Sequence, residues 1–500
     1  MLPYSLEESI LEGKLEVSQL FEYIEKNAES MDAYQIEQEI YSRIRKIGLA
    51  SMKGYFAVKG TGDIGEVLDL KDGITLKKES SLRPKSYFSV FGKFSVPRTC
   101  YRTKGHEGVM PLDAEANLPE RTYSYLLQEW MDILSIRDSF SEASVTIRKL
   151  LCLEIRPSRV EVVNEESSSS YDKFYEKKQQ PEPDSEGQIK VIGFDGKGVP
   201  VIKSEAAKLK ARAGKGEKRQ KKKEAIVGVS YTTDPKQRTA VEVAENLIYP
   251  EKSEKKKKDE GKESLVIRAK NPRRMASLER SKEDVMKEII KDAESRCTDG
   301  KGALVAVMDG ALCLWSLLTS LLVGVNWVGI LDIIHVVEYL WKVTNAIHGE
   351  ATMEGKEWVY HQLVGILQGR VERVIGELKQ MLSKLDLKAS QKKALQDAIT
   401  YFENHREWMR YDEYLIAGYP IGSGVVESTC GHTVKNRMEG TGRRWSIKGA
   451  ESTLLLRSVY TSKDWEAYWL SHQKQEQQRI YSDILPKLGQ SDDYQAKMVA

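Results

Sequence analysis

"VMDGALCLWSLLTSLLVGVNWVGILDIIHVVEYLW", residues 307–341, decides how the rest of the chain is read. Its 21 residues from Ala311 to Leu331 carry no charge and are bracketed by Asp309 and Asp332. An uncharged run of that length can cross a bilayer as a helix. It also suits a buried strand–helix–strand unit, because parallel strands covered on both faces read as continuous apolar stretches. Three features favour the second reading. Gly324 and Asn326 interrupt the run, the strand-like "ALVAVMD" (303–309) abuts it, and neither end has a basic membrane flank. The stretch is therefore read as strand, helix and strand "VGILD" (328–332) in the middle of an α/β layer, with no membrane partner.

Composition agrees with that choice. The chain has 500 residues, 40% hydrophobic and 30% charged, which is globular rather than disordered or polytopic. The net charge of +3 hides a strong asymmetry. Residues 1–40 hold ten acids against two lysines, whereas Lys203–Lys223 packs ten Lys/Arg against two Glu, a segment suited to a phosphate backbone. The five cysteines (Cys100, Cys152, Cys297, Cys313, Cys430) are scattered and form no CxxC pair, which points to a reducing compartment and away from a zinc knuckle. "MLPYSLEESILEGKLEV" lacks the basic and apolar regions of a signal peptide, so a cytoplasmic location is expected.

Working outward, residues 1–50 show helical periodicity, and 51–115 form a small β-rich region with "YFAVKG" (55–60) and "SYFSVFGKFSVPRTCYR" (86–102) as strands. Residues 116–180 are helical. There "SFSEASVTIRKLL" (139–151) and "SRVEVVNEESSSSYDKFYE" (158–176) flank the break "CLEIRP" (152–157). This pair is either a DNA-binding helix-turn-helix, with Arg159 opening its second helix, or an ordinary helical hairpin. After the polar linker "KKQQPEPDSEG" (177–187), a first core segment spans 186–345. It holds strands "QIKVIGF" (188–194), "EAIVGVSYTT" (224–233) and "RTAVEVAENLIY" (238–249), a Lys-rich insertion at 203–223, a charged loop at 251–264 and a helix near 277–296. An all-helical stretch (346–409) follows, then a second core segment (410–470) with the helix "GSGVVESTCGHTVKNRME" (422–439), and a tail (471–500).

Three acids stand where such a core places chemistry. Asp195 and Asp309 end apolar strands and precede glycine, which is expected to keep space open at each carboxylate. Glu427 lies one turn into a helix that Ser423 is expected to cap. Taken singly, each acid is an ordinary turn, cap or solvent-facing residue. Together they can hold two hard divalent cations, which would activate an attacking oxygen and stabilise the leaving one at phosphorus.

The blocks "FDGKGVP", "VMDGALCLW", "ILDIIHVVEYLW" and "YPIGSGVVESTCGHTVKNRMEGTGRRW" carry a resemblance. They look like the signature blocks of bacterial DDE insertion-sequence transposases, above all the ISKra-type family, which shares an RNase H-like core with Mutator elements. The resemblance implies a mixed α/β fold with an RNase H-like catalytic core and an all-α insertion, preceded by a helical and β-rich DNA-binding N-terminal region. It implies Asp195, Asp309 and Glu427 as the catalytic and metal-binding triad for two Mg²⁺ ions, with Mn²⁺ as substitute. Asp332 and His335 match the Asp-x-x-His motif, which either supports the site or contacts DNA; otherwise they are a helix cap and a satisfied core histidine.

Lys435, Arg437, Arg443, Arg444 and Trp445 are candidate DNA contacts, the arginines for phosphate and the tryptophan for an unpaired base. The implied partners are the element's terminal inverted repeats, target DNA and a second copy of the chain in a homodimer or higher oligomer. The implied activity is Mg²⁺-dependent cleavage of the element ends followed by strand transfer. A transposase-derived non-catalytic DNA-binding protein, and a nuclease that never joins, are the rival readings.

Overall fold

The computed structural model describes residues 4–70, 73–209, 221–251, 267–296, 302–440 and 442–484. The chain divides into two compact units, Met1–Glu176 with Glu466–Ala500, and Lys177–Trp465.

The first unit opens with helices Leu6–Asn27 and Ala33–Lys59, each started by a capping box (Ser5 with Glu8, Asp32 with Gln35). The second helix runs through "YFAVK", so this stretch is helix and not strand. Phe56 on it enters an aromatic cluster with Tyr87 and Phe94, and that tertiary contact overrides the strand-like composition. Strands β1 (Val67–Asp69), β2 (Thr75–Lys78), β3 (Lys85–Ser89), β4 (Gly92–Val96) and β5 (Tyr101–Arg102) follow. They make one three-stranded sheet, β1-β2-β5, and one hairpin, β3-β4.

Helices Tyr125–Ser135, Phe140–Leu151 and Pro157–Ser168 then bury Leu127, Met131, Ile147, Leu151, Val160 and Val163 in a common core. The last two are joined by a short turn in which Cys152 has φ 52°, and Arg159 is exposed in the first turn of the third helix. The Asn164 amide pins the third helix to the first, donating at 3.1 Å to both Asp132 Oδ1 and Ser135 Oγ. The expected tail begins inside helix Trp465–Tyr481, which belongs to this unit from Glu466 onward; 485–500 lie outside the described residues.

The second unit is a mixed α/β layer. Strands β6 (Ile189–Pro200), β7 (Lys222–Thr233), β8 (Lys270–Ser277), β9 (Leu304–Met308) and β10 (Trp327–Leu331) form one sheet in the order β10-β9-β6-β7-β8. β6, β7 and β8 are successively antiparallel, and β9 and β10 run parallel to β6. Val191, Val229, Val305, Val307 and Ile330 bury one side of the sheet against helices such as Ile333–His348 and Met353–Leu367. Within 346–409, the described elements are all helical.

Two expectations are corrected here. "RTAVEVAENLIY" is helix Ala240–Ile248, fixed by the Thr239–Glu242 capping box and by Val243, Ala244 and Ile248 buried on one face. The third strand is instead β8, "KNPRRMAS", whose charge disguised it. Its Arg273 is 5% exposed and pairs with Glu288 and Asp292, so neutralised charge takes the place of apolar surface. The Lys-rich stretch is described only at its ends, helix Lys203–Lys208 and the start of β7; 210–220 and 252–264 lie outside the described residues. The uncharged run that opened the reading contains helix Leu312–Leu321, of 10 residues. No helix among the described residues is long and apolar enough to cross a membrane.

Candidate metal centre

Strand register assembles the site. β6 pairs with β9 as Lys190↔Leu304 to Ile192↔Ala306, and β9 pairs with β10 as Leu304↔Trp327 to Met308↔Leu331. Continuing both registers to the next acids sets Asp195 within β6 level with Asp309 and Asp332, the residues that directly follow β9 and β10. The Asp332 N–H prolongs the ladder by donating to the Met308 carbonyl at 2.8 Å. Asp195 does not end its strand, as the sequence suggested. β6 continues five residues beyond it, because β7 pairs with it in unbroken register from Asp195↔Val227 to Pro200↔Lys222.

Glu427 reaches this level from helix Gly424–Thr429. The helix lies against β6 through Val426, and Gly193 makes that approach feasible. A Cβ at Gly193 would stand 2.3 Å from Val426 Cγ2 and 2.8 Å from the Val307 carbonyl oxygen. The Ser423 hydroxyl does not cap this helix; it donates to Asp332 Oδ2. Asp332 is wholly buried, and its Oδ1 accepts from the Ile334 N–H at 2.9 Å, capping helix Ile333–His348. One carboxylate thus ties a strand end, a helix start and the turn before Glu427.

His335 is no core histidine: its side chain is 32% exposed. Its Nε2 lies 4.0 Å from Asp332 Oδ2, and its Nδ1 lies 3.3 Å from Glu338 Oε2. One ligand atom from each of Asp332, His335 and Glu427 lies within 4.8 Å of the other two. Asp195 and Asp309 are outside this closest set yet couple to it electrostatically. Burial raises the Asp309 carboxyl, with Asp195 and Asp332 adding to the rise and the Ala311 N–H and His335 opposing it. Burial likewise raises Glu427, with further increments from Asp332, Glu338 and Asp195, against His335. Among the described residues no lysine or arginine forms an ion pair with any of these four carboxylates.

Two neighbours, Cys430 and Glu338, were given no role by the sequence, and a third, Ser423, was expected in another role. The Cys430 thiol donates to Asp195 Oδ2 at 2.9 Å, while Asp195 Oδ1 accepts from the Gly196 N–H at 2.6 Å. Ser423 and Glu338 orient Asp332 and His335 as described above. Cys430 lies three residues after Glu427 and Glu338 three after His335, a helical spacing that could have drawn attention to both. The space expected beside Asp309 is not open: a Cβ at Gly310 would stand 2.3 Å from the Tyr401 ring, brought in by helix Ala389–His405.

The candidate DNA contacts divide. Lys435 and Arg444 are exposed, as is Arg159 in the other unit. Arg443 is half-buried and donates to the Arg437 carbonyl at 2.9 Å. Arg437 and Trp445 are corrected: both are buried, the guanidinium carbon 4.3 Å from the indole centroid. Trp445 donates through Nε1 to the Met438 carbonyl at 3.2 Å, and its backbone pairs with Pro200 and Ile202. It is a wedge between β6 and the Glu427 segment, not a platform for a base. A π turn, Cys430–Lys435, interrupts the expected single helix 422–439 after Thr429.

Compared with known proteins, the chain matches no family model and no curated sequence.

Proposed function

We propose that this chain is a DDE-type transposase that cuts insertion-sequence ends and joins them to target DNA. The observation that carries the reading is the level row Asp195, Asp309 and Asp332, with Glu427 brought in from a separate helix. Three antiparallel strands followed by two parallel ones, the arrangement expected of an RNase H-like core, support it. So does the all-helical stretch between β10 and the Glu427 helix, which we read as the insertion.

The donor chemistry fits Mg²⁺. Four carboxylates that pair with no Lys or Arg among the described residues leave a net negative cluster of hard oxygens. When bound, divalent ions would polarise the scissile phosphate and neutralise charge developing there. Asp195 and Asp309 would hold one position and Glu427 would complete the second. The remaining work belongs to the chain: Cys430 and the Gly196 N–H orient Asp195, the Ala311 N–H orients Asp309 from 3.1 Å, and exposed Lys435, Arg444 and half-buried Arg443 neutralise DNA phosphates.

Arg159 and its helix would read the terminal repeats. We read the working form as a homodimer, because two element ends need two sites, acting in the cytoplasm on bacterial DNA. The test is strand transfer with labelled element ends in Mg²⁺ or Mn²⁺. Asp309→Asn is expected to lose at least about a hundredfold in joining while still binding the ends. Normal joining by that variant would remove the assignment, and cleavage that never yields joined products would favour the nuclease.

A further inference from the structure

We propose that Asp332, His335 and Glu427 form a divalent-cation position of their own beside the Asp195–Asp309 pair. In it the imidazole nitrogen makes a transition ion such as Mn²⁺ the preferred occupant over Mg²⁺. The position shares Glu427 with the transposase reading but does not depend on any DNA chemistry.

Three arguments carry it. The first is convergence: one oxygen or nitrogen from each residue falls within 4.8 Å of the other two, so side-chain shifts of about half an ångström would bring them inside the roughly 4.2 Å limit for ligands about 2.1 Å from one ion. The second is the outer shell. A metal-binding histidine ordinarily gives its other ring nitrogen to a carboxylate, which fixes the tautomer and aims the free nitrogen. Glu338 stands at that place, 3.3 Å from Nδ1, and Nε2 is the nitrogen facing Asp332. Asp332 is fixed in turn by the Ser423 hydroxyl and the Ile334 N–H. Both partners act on residues already aimed at one point, a construction that a chance surface cluster lacks.

The third is charge and chemical type. Asp332 is fully buried and no Lys or Arg pairs with it among the described residues, so a cation is the missing neutraliser. Two carboxylates with one imidazole form a mixed oxygen–nitrogen set. Mg²⁺ prefers oxygen alone, whereas the nitrogen is well accepted by first-row transition ions. The all-oxygen pair Asp195 and Asp309 keeps the opposite preference. Two neighbouring positions with different tastes follow.

The experiment uses the full chain, stripped of metal and titrated with Mn²⁺ in the absence of DNA. Pulsed electron paramagnetic resonance is expected to detect a ¹⁴N coupling to bound Mn²⁺ in the wild type. His335→Gln should abolish that coupling and weaken Mn²⁺ binding by about tenfold or more, with a smaller change for Mg²⁺; Glu338→Gln should weaken Mn²⁺ binding by about tenfold. Asp195→Asn should keep the nitrogen signal. His335 is partly exposed, so its replacement opens no core cavity, and a melting curve checks that the variant folds. No ¹⁴N coupling in the wild type, or coupling that survives His335→Gln, would overturn the proposal, as would loss of the signal in Asp195→Asn. Should strand transfer prove absent altogether, the nitrogen signal would still decide this point.

Discussion

The Cys430 thiol and the Asp195 carboxylate share a 2.9 Å hydrogen bond that links the end of the Glu427 helix to the middle of β6. Burial, followed by the negative charge of Asp195, pushes this thiol well above the usual range. It therefore stays protonated at neutral pH, and the thiolate is the reactive form. With iodoacetamide at pH 8, exposed Cys152 and Cys313 are expected to label first. Cys430 should label at least about tenfold more slowly until the protein is unfolded. Mass spectrometry of timed digests reads the order, and equal rates for Cys430 and Cys152 would contradict it.

Asp309 carries a pH signature. Its carboxyl is raised by burial first and by Asp195 next, so the native state holds that proton more tightly than the unfolded chain does. Ionised Asp309 consequently subtracts from stability once pH climbs past the ordinary carboxylate range, and the penalty is absent below it. In chelator at pH 7, Asp309→Asn should melt about 2–4 °C above the wild type, the gap closing below about pH 4. Scanning calorimetry across pH measures this, and a lower melting point for the variant at pH 7 would refute it.

His472 has the opposite sign. Burial lowers its imidazole to about 4, with Arg479 also lowering it and Glu476 opposing. It sits among Tyr125, Tyr468 and Trp469, and its Nδ1 is 2.8 Å from the Ser170 hydroxyl. The native state thus binds the proton less readily than the unfolded chain, so stability falls as pH drops from about 6.5 towards 4. His472→Gln should flatten that decline. Hydrogen exchange of helix Trp465–Tyr481 between pH 7 and 4.5 follows it locally, and an unchanged acid slope in the variant would exclude His472 as the cause.

Gly193→Ala should displace the Glu427 helix. The new methyl would meet both Val426 and the Val307 carbonyl, an overpacking of about 1–3 kcal/mol. Val426→Ala added to it should recover part of the loss, since only the side-chain contact is relieved. Denaturant melts of the two variants, with Mn²⁺ affinity as a second readout, check the coupling. Full tolerance of Gly193→Ala would mean that the helix is not held against β6 in this way.

Much of the second unit was legible because its physics is local. Continuous apolar runs gave β6, β7, β9 and β10, and the acids beside them gave Asp195, Asp309 and Asp332. What failed depended on partners far along the chain. β8 was hidden because its buried Arg273 is neutralised by Glu288 and Asp292 from a later helix. Residues 238–249 alternate like a strand, yet Thr239 and Glu242 close a capping box that turns them helical. Trp445 looked available beside two arginines, and only the fold shows it wedged against Arg437 and β6. The tightest ligand set was half-seen: Asp332 and His335 were noticed, but their closeness to Glu427 depends on the Gly193 contact.

The level row of aspartates has one more implication. Asp195 is paired within the β6–β7 ladder, Asp309 directly follows β9 and the Asp332 N–H bonds the Met308 carbonyl, whereas Glu427 rides on a six-residue helix packed against β6 through Val426. Three anchors are stiff from the moment the strands zip together, and the fourth is adjustable. A nascent or partly melted molecule would own most of a cation cage before it could close one. Chelation would then be a late event in maturation, sensitive to anything that loosens a single short helix.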